Sequence, residues 1–126
     1  YVFSVLAAQT SQTADAALYA DLLDTWRAHR DARDALVALI AGRGETPVPA
    51  APSYVLPNDA SDATKVRAAA LEVQTRTTNT YGTLVARTAG DDRRLAIRSV
   101  DESAVRQLRF GGRPEIFPGT GGLGAS

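Results

Sequence analysis

The chain has 126 residues, 14 acidic and 14 basic side chains, one His, no Cys and no Met. This length serves one domain with a single core. The balanced, interleaved charge excludes a phosphate-tracking nucleic-acid surface, and the missing Cys excludes disulfides, thiolate metal sites and cysteine nucleophiles. A chain that lacks Met and opens on the large residue Tyr1 points to processing or to a longer parent. That expectation tilts the compartment towards an exported or envelope-associated one.

The composition is rich in Ala and Arg and poor in β-branched runs, which favours helix. The spacing predicts four helices. The first covers Tyr1 to about Gln9; its apolar residues Val2, Phe3, Val5 and Leu6 begin without a capping residue, as in a truncated helix. Thr10 to Thr13 supply hydroxyls for a polar break. The second runs from about Ala14 to Ala41, with Gly42 and Gly44 as its stop. A connector from Glu45 to Pro57 holds four prolines in eleven residues, too many to propagate a helix, and reads as an extended crossover. Asp62 to Thr88 form the third helix. After Gly90, Asp91 and Asp92 open the fourth, where the macrodipole favours acids, and Gly111 with Gly112 ends it near Phe110. The remainder, rich in Gly and Pro, reads as a tail. The expected organisation is therefore a helical bundle over 1–110 and an extended tail over 111–126. No stretch approaches the roughly 18 apolar residues of a membrane span.

Helical periodicity of about 100° per residue sorts the faces. On the second helix Leu18, Leu22, His29, Leu36 and Ile40 share one line, so the only His lies in the apolar stripe, with Arg33 and Trp26 to one side. On the third, Val66, Ala70, Val73, Thr77, Tyr81 and Leu84 share a face, and Glu72 points away. On the fourth, Ile97, Val100, Ala104 and Leu108 define the inner face, which contains Asp101, while Glu102 points outward. His29, Arg33 and Asp101 thus read as a buried polar network, in which a carboxylate fixes the imidazole tautomer and receives the guanidinium. The sharper alternative is a functional pocket, with imidazole and carboxylate as acid and base or as metal ligands. No Gly-x-Ser-x-Gly elbow and no phosphate loop is present, and the Arg27 to Asp34 charge run reads as a solvated face.

The stretch from Ala17 to Pro57, with Trp26 to Leu36, the Gly-rich stop and the connector through Tyr54 and Leu56, resembles an actinobacterial ferritin-like domain of unknown function. The likeness continues through Leu71-Glu72, Tyr81 to Val85 and Ala104 to Arg109. The resemblance implies an all-α, ferritin-like four-helix bundle with a Pro-rich crossover between helices 2 and 3. It also implies an upstream Glu-His pair on the first helix and a di-metal ligand set of two Glu and two Glu-x-x-His motifs. Residue by residue, this chain departs from that set. The first helix has no acid, Trp26 stands three residues before His29, and the fourth helix has no His. The metal-ligand candidates that remain are His29, Asp101 and Glu72.

The expected function is that of a non-catalytic ferritin-like bundle acting as an interaction or accessory subunit, without a cofactor. A protein partner or a second copy would contact it, through Tyr54, Leu56, Ile116 and Phe117 of the two extended segments. One alternative is a protein binding iron or manganese whose remaining ligands precede Tyr1. Another is a carrier of a small apolar ligand, with a cavity near Trp26, Tyr81 and Phe110.

Overall fold

The computed structural model describes residues 1–51, 54–55 and 60–116. The protein is all-α, with the element content of a four-helix bundle: α1 (Val2–Ala8), α2 (Ala16–Gly42), α3 (Ala63–Arg87) and α4 (Gly90–Arg109). There is no strand among the described residues. Each helix begins and ends within two residues of the position predicted from capping and breaker residues. The chain divides into two compact units, residues 1–66 and 67–126.

In the first unit α1 packs on α2. Phe3, Leu6 and Ala7 of α1 are buried, at the i, i+3, i+4 spacing that places them on one face. On α2 the fully buried residues are Leu18, Leu22 and Thr25. The Phe3 ring lies 5.0 Å from the His29 imidazole, so the start of α1 meets the middle of α2. A helix of seven residues is only about 10 Å long and shelters the N-terminal half of α2. Beyond it Leu36, Leu39 and Ile40 are half-buried and Val37 is exposed. The α1 end is closed by buried Thr10, whose hydroxyl donates to the Leu6 carbonyl at 2.8 Å. Ser11 then accepts the Ala14 amide at 3.0 Å and turns the chain into α2. Tyr54 of the connector stacks on Tyr1 with ring centroids 5.9 Å apart; Leu56 lies outside the described residues.

α2 and α4 stop in the same way. Gly44 (φ 79°) and Gly111 (φ 88°) occupy the left-handed region. Around Gly44 the Gly44 amide donates to Ala41 at 2.9 Å and the Glu45 amide to Ile40 at 3.2 Å. Around Gly111 the Gly111 amide donates to Leu108 and the Gly112 amide to Gln107, both at 3.0 Å. These paired bonds are Schellman closures, which satisfy carbonyls that a helix end otherwise leaves without donors.

α3 is capped by Asp62, whose Oδ1 accepts the Lys65 amide at 2.9 Å, the N-cap to N3 bond. In the second unit Thr88 and Ala89 alone link α3 to α4, and Asp91 and Asp92 fall in the first turn of α4 as expected. The buried face of α3 carries Ala69, Ala70, Gln74 and Thr78; that of α4 carries Ala96, Ser103 and Gln107, followed by Phe110. Small and polar residues dominate because the polar ones satisfy one another. Gln74 Nε2 donates to Ser103 Oγ at 2.6 Å and to the Ser103 carbonyl at 3.1 Å. Thr78 Oγ1 donates to the Gln74 carbonyl at 3.0 Å. With that proton committed, the 2.9 Å contact between the Thr78 and Ser103 hydroxyls must be donated by Ser103. Arg67 Nη1 donates to the Arg109 carbonyl at 3.0 Å, tying the end of α4 to α3.

This overturns the expected inner face of α4. Ile97 and Leu108 are both exposed, and Val100 and Ala104 are only half-buried. The buried line through Ala96, Ser103 and Gln107 lies about 120° round the helix from the line through Ile97 and Leu108.

Candidate functional site

None of the three residues expected to form a buried polar network is buried. Asp101 is exposed on α4, a direct consequence of the rotated face. Arg33 is exposed as well, and its guanidinium grips the neighbouring Asp34, with Nε at 2.8 Å and Nη2 at 2.7 Å from Oδ1. His29 alone of the three is partly sheltered, half-buried against Phe3. Glu72 is exposed, as the sequence suggested, and its Oε1 lies 2.5 Å from Nη2 of Arg76. Among the described residues no three His, Asp or Glu side chains gather around a point where a metal ion could sit. Of the residues expected to make partner or tail contacts, Tyr54 rests on Tyr1 and Ile116 is exposed, while Phe117 lies outside the described residues. Of the residues placed near an apolar cavity, Trp26 is half-buried with the Arg30 guanidinium 5.0 Å above its ring, a cation–π contact. Phe110 is fully buried.

The candidate site is the exposed side of α4, which takes in Ile97 and Leu108 of the expected inner face and adds Val105. Ile97, Val105 and Leu108 of α4 are 44%, 57% and 44% exposed. Together with half-buried Ala104 they span about 100° of the helix, and Asp101 sits among them. Buried residues of the opposite face leave α4 with two working sides: one closed by the hydrogen-bonded ring, the other apolar and open to solvent. Such an arrangement costs hydration free energy for as long as nothing covers it.

Charge around the stripe is unevenly satisfied. Asp91 pairs with Arg94, Glu102 with Arg106 at 3.3 Å, and Arg93 Nε donates to the Thr88 carbonyl at 2.6 Å. Arg98 and Asp101, three residues apart and beside the apolar stripe, have no ion pair among the described residues. Tyr81 of α3 has its phenol pKa raised, chiefly because burial penalises the phenolate; Arg106 opposes this and Glu102 adds to it.

Sequence reading missed Val105 and Arg98 as members of this surface and missed Gln74, Thr78 and Ser103 as core. The available signal was a set of small or short polar residues, Ala96, Ser99 and Ser103, along one line of α4, facing Ala70, Gln74 and Thr78 at i, i+4, i+8 on α3. Small side chains let two helices approach closely.

No curated protein and no solved structure matches this chain. None of the helices among the described residues is long and apolar enough to cross a membrane. A family model does match, over residues 1–121, and on that extent the chain belongs to the family described as Domain of unknown function (DUF4439).

Proposed function

We propose that this protein is a non-catalytic, ferritin-like helical bundle that acts as an interaction or accessory subunit, docking another protein chain on the exposed face of α4. The observation that carries the reading is the apolar stripe of Ile97, Val105 and Leu108 standing in solvent on a helix whose other side is fully engaged. A partner that covers it gains about 25 cal/mol for each Å² of apolar surface removed from water. The test is the mass of the natural full-length protein by light scattering, with an Ile97→Asp/Leu108→Asp variant beside it. The expected result is an assembly heavier than one chain that the variant loses while its circular dichroism is unchanged. An assembly that the variant keeps would refute docking on α4; a single-chain mass for both proteins would leave a different protein as the docked chain.

A second reading is a metal-binding bundle, favoured by one observation: His29 is the only His, and its imidazole is half-buried beside the start of α1. The remaining ligands to iron or manganese would come from residues preceding Tyr1. Elemental analysis of the natural full-length protein, purified without chelator, decides it. Less than about a tenth of an equivalent of iron, manganese or zinc would eliminate this reading, because a resident metal coupled to folding is retained.

A further inference from the structure

We infer that the partner seated on the α4 stripe is a second copy of this chain, bound with the two α4 helices antiparallel. The inference rests on the proposed docking role of α4 and adds the identity of the occupant. Its basis is the pattern of charge beside the stripe. Arg98 and Asp101 are exposed, opposite in sign, three residues apart and without ion partners among the described residues, whereas Asp91, Arg94, Glu102 and Arg106 of the same helix are paired. A surface of this kind complements itself under a two-fold axis.

The register follows from helix geometry. With the two-fold axis passing near Asp101, Ile97 lies beside the partner's Val105, and Leu108 lies along the aliphatic stem of the partner's Arg94. Arg98 is then level with the partner's Ala104, and the partner's Asp101 is three residues along, about 4.5 Å of helix rise. That offset is within the reach of a guanidinium. Symmetry doubles every contact, giving two Arg98 to Asp101 bridges that neutralise the two carboxylates meeting across the axis. A parallel pair would instead set Arg98 level with the partner's Arg98 and Asp101 level with the partner's Asp101. The chain's formal net charge of zero leaves little long-range repulsion to oppose a second copy.

The contact runs from residue 94 to residue 108, about 21 Å of helix, at the small end of specific interfaces, so the dimer is a weak one with a Kd on the order of micromolar or above. The experiment is sedimentation equilibrium of the natural full-length protein from about 1 μM to about 1 mM, spanning that range. Wild type is expected to shift from monomer to dimer as concentration rises. Asp101→Arg and Arg98→Asp each place four like charges at the seam, and each alone is expected to bind itself at least tenfold more weakly. Mixed in equal amounts they are expected to form a heterodimer, because one chain then carries only positive charge at positions 98 and 101 and the other only negative charge. Monomeric wild type throughout, or single variants that dimerise as wild type does, would overturn the inference. A photo-crosslinking residue at Val105, activated in the native cell, separates this failure from that of the docking role. A self-adduct supports the dimer; an adduct only with a different protein overturns the dimer and leaves the docking role standing; no adduct overturns both.

Discussion

The carboxamide nitrogen of Gln74 on α3 reaches across to α4 and donates to one residue, Ser103, at the hydroxyl (2.6 Å) and the carbonyl (3.1 Å). Thr78 completes the circuit. Each bond is worth about 1 kcal/mol net, but an orphaned buried donor costs about 1–3 kcal/mol. Ser103→Ala is therefore expected to destabilise the protein by about 1–3 kcal/mol in chemical denaturation followed by far-ultraviolet circular dichroism. Gln74→Leu combined with Ser103→Ala is expected to cost less than the two changes added, by about 1 kcal/mol. Strict additivity would show that the groups are not coupled.

Thr25 presents the opposite case. It is fully buried on α2, and its hydroxyl has no hydrogen-bond partner among the described residues. Thr25→Val keeps the β-branched shape and removes the orphaned group, so stability is expected to rise by about 1 kcal/mol. An unchanged or lowered denaturation midpoint would mean that the hydroxyl is satisfied in solution.

Because Asp101 is exposed on α4, Asp101→Ala is expected to change the stability of the monomer by no more than about 0.5 kcal/mol. A carboxylate buried in an ion network would lose several times that, about 3–5 kcal/mol. Thermal unfolding well below about 1 μM, where the monomer predominates, separates the two magnitudes.

Burial raises the pKa of Tyr81 above its unfolded value. The folded chain therefore holds the phenol proton where the unfolded chain has released it, and the contribution of this group to stability is fully present below about pH 10 and is lost as pH rises through the folded pKa. Denaturation midpoints followed above pH 9 are expected to fall less steeply in Tyr81→Phe than in wild type. Equal slopes would show that the phenol titrates freely.

Helix boundaries were legible in the sequence because they are written in residues with strong local preferences: Asp62 as a cap, Gly44 and Gly111 at positive φ, and the prolines after Glu45. The face of α4 was not. Hydropathy assigns Ile97 and Leu108 to the core and Ser103 and Gln107 to solvent, yet the reverse holds. Polar groups are cheap to bury once they bond one another, and that pairing between two helices is invisible to the periodicity of either one. The same misphasing placed Asp101 beside His29 and Arg33, and it disguised a surface as a core.

The two Schellman closures carry a stereochemical consequence. At Gly44 and Gly111 the backbone already has the twist of a mirror-image residue. L-alanine at Gly111 is expected to cost about 1–2 kcal/mol, the penalty of a Cβ in the left-handed region. D-alanine, introduced by chemical ligation, meets no such clash and restricts the unfolded chain, so it is expected to raise stability by about 0.4–1 kcal/mol. At these two stops the fold prefers the hand that the genetic code does not supply, and glycine is the nearest residue to it that a ribosome can place there.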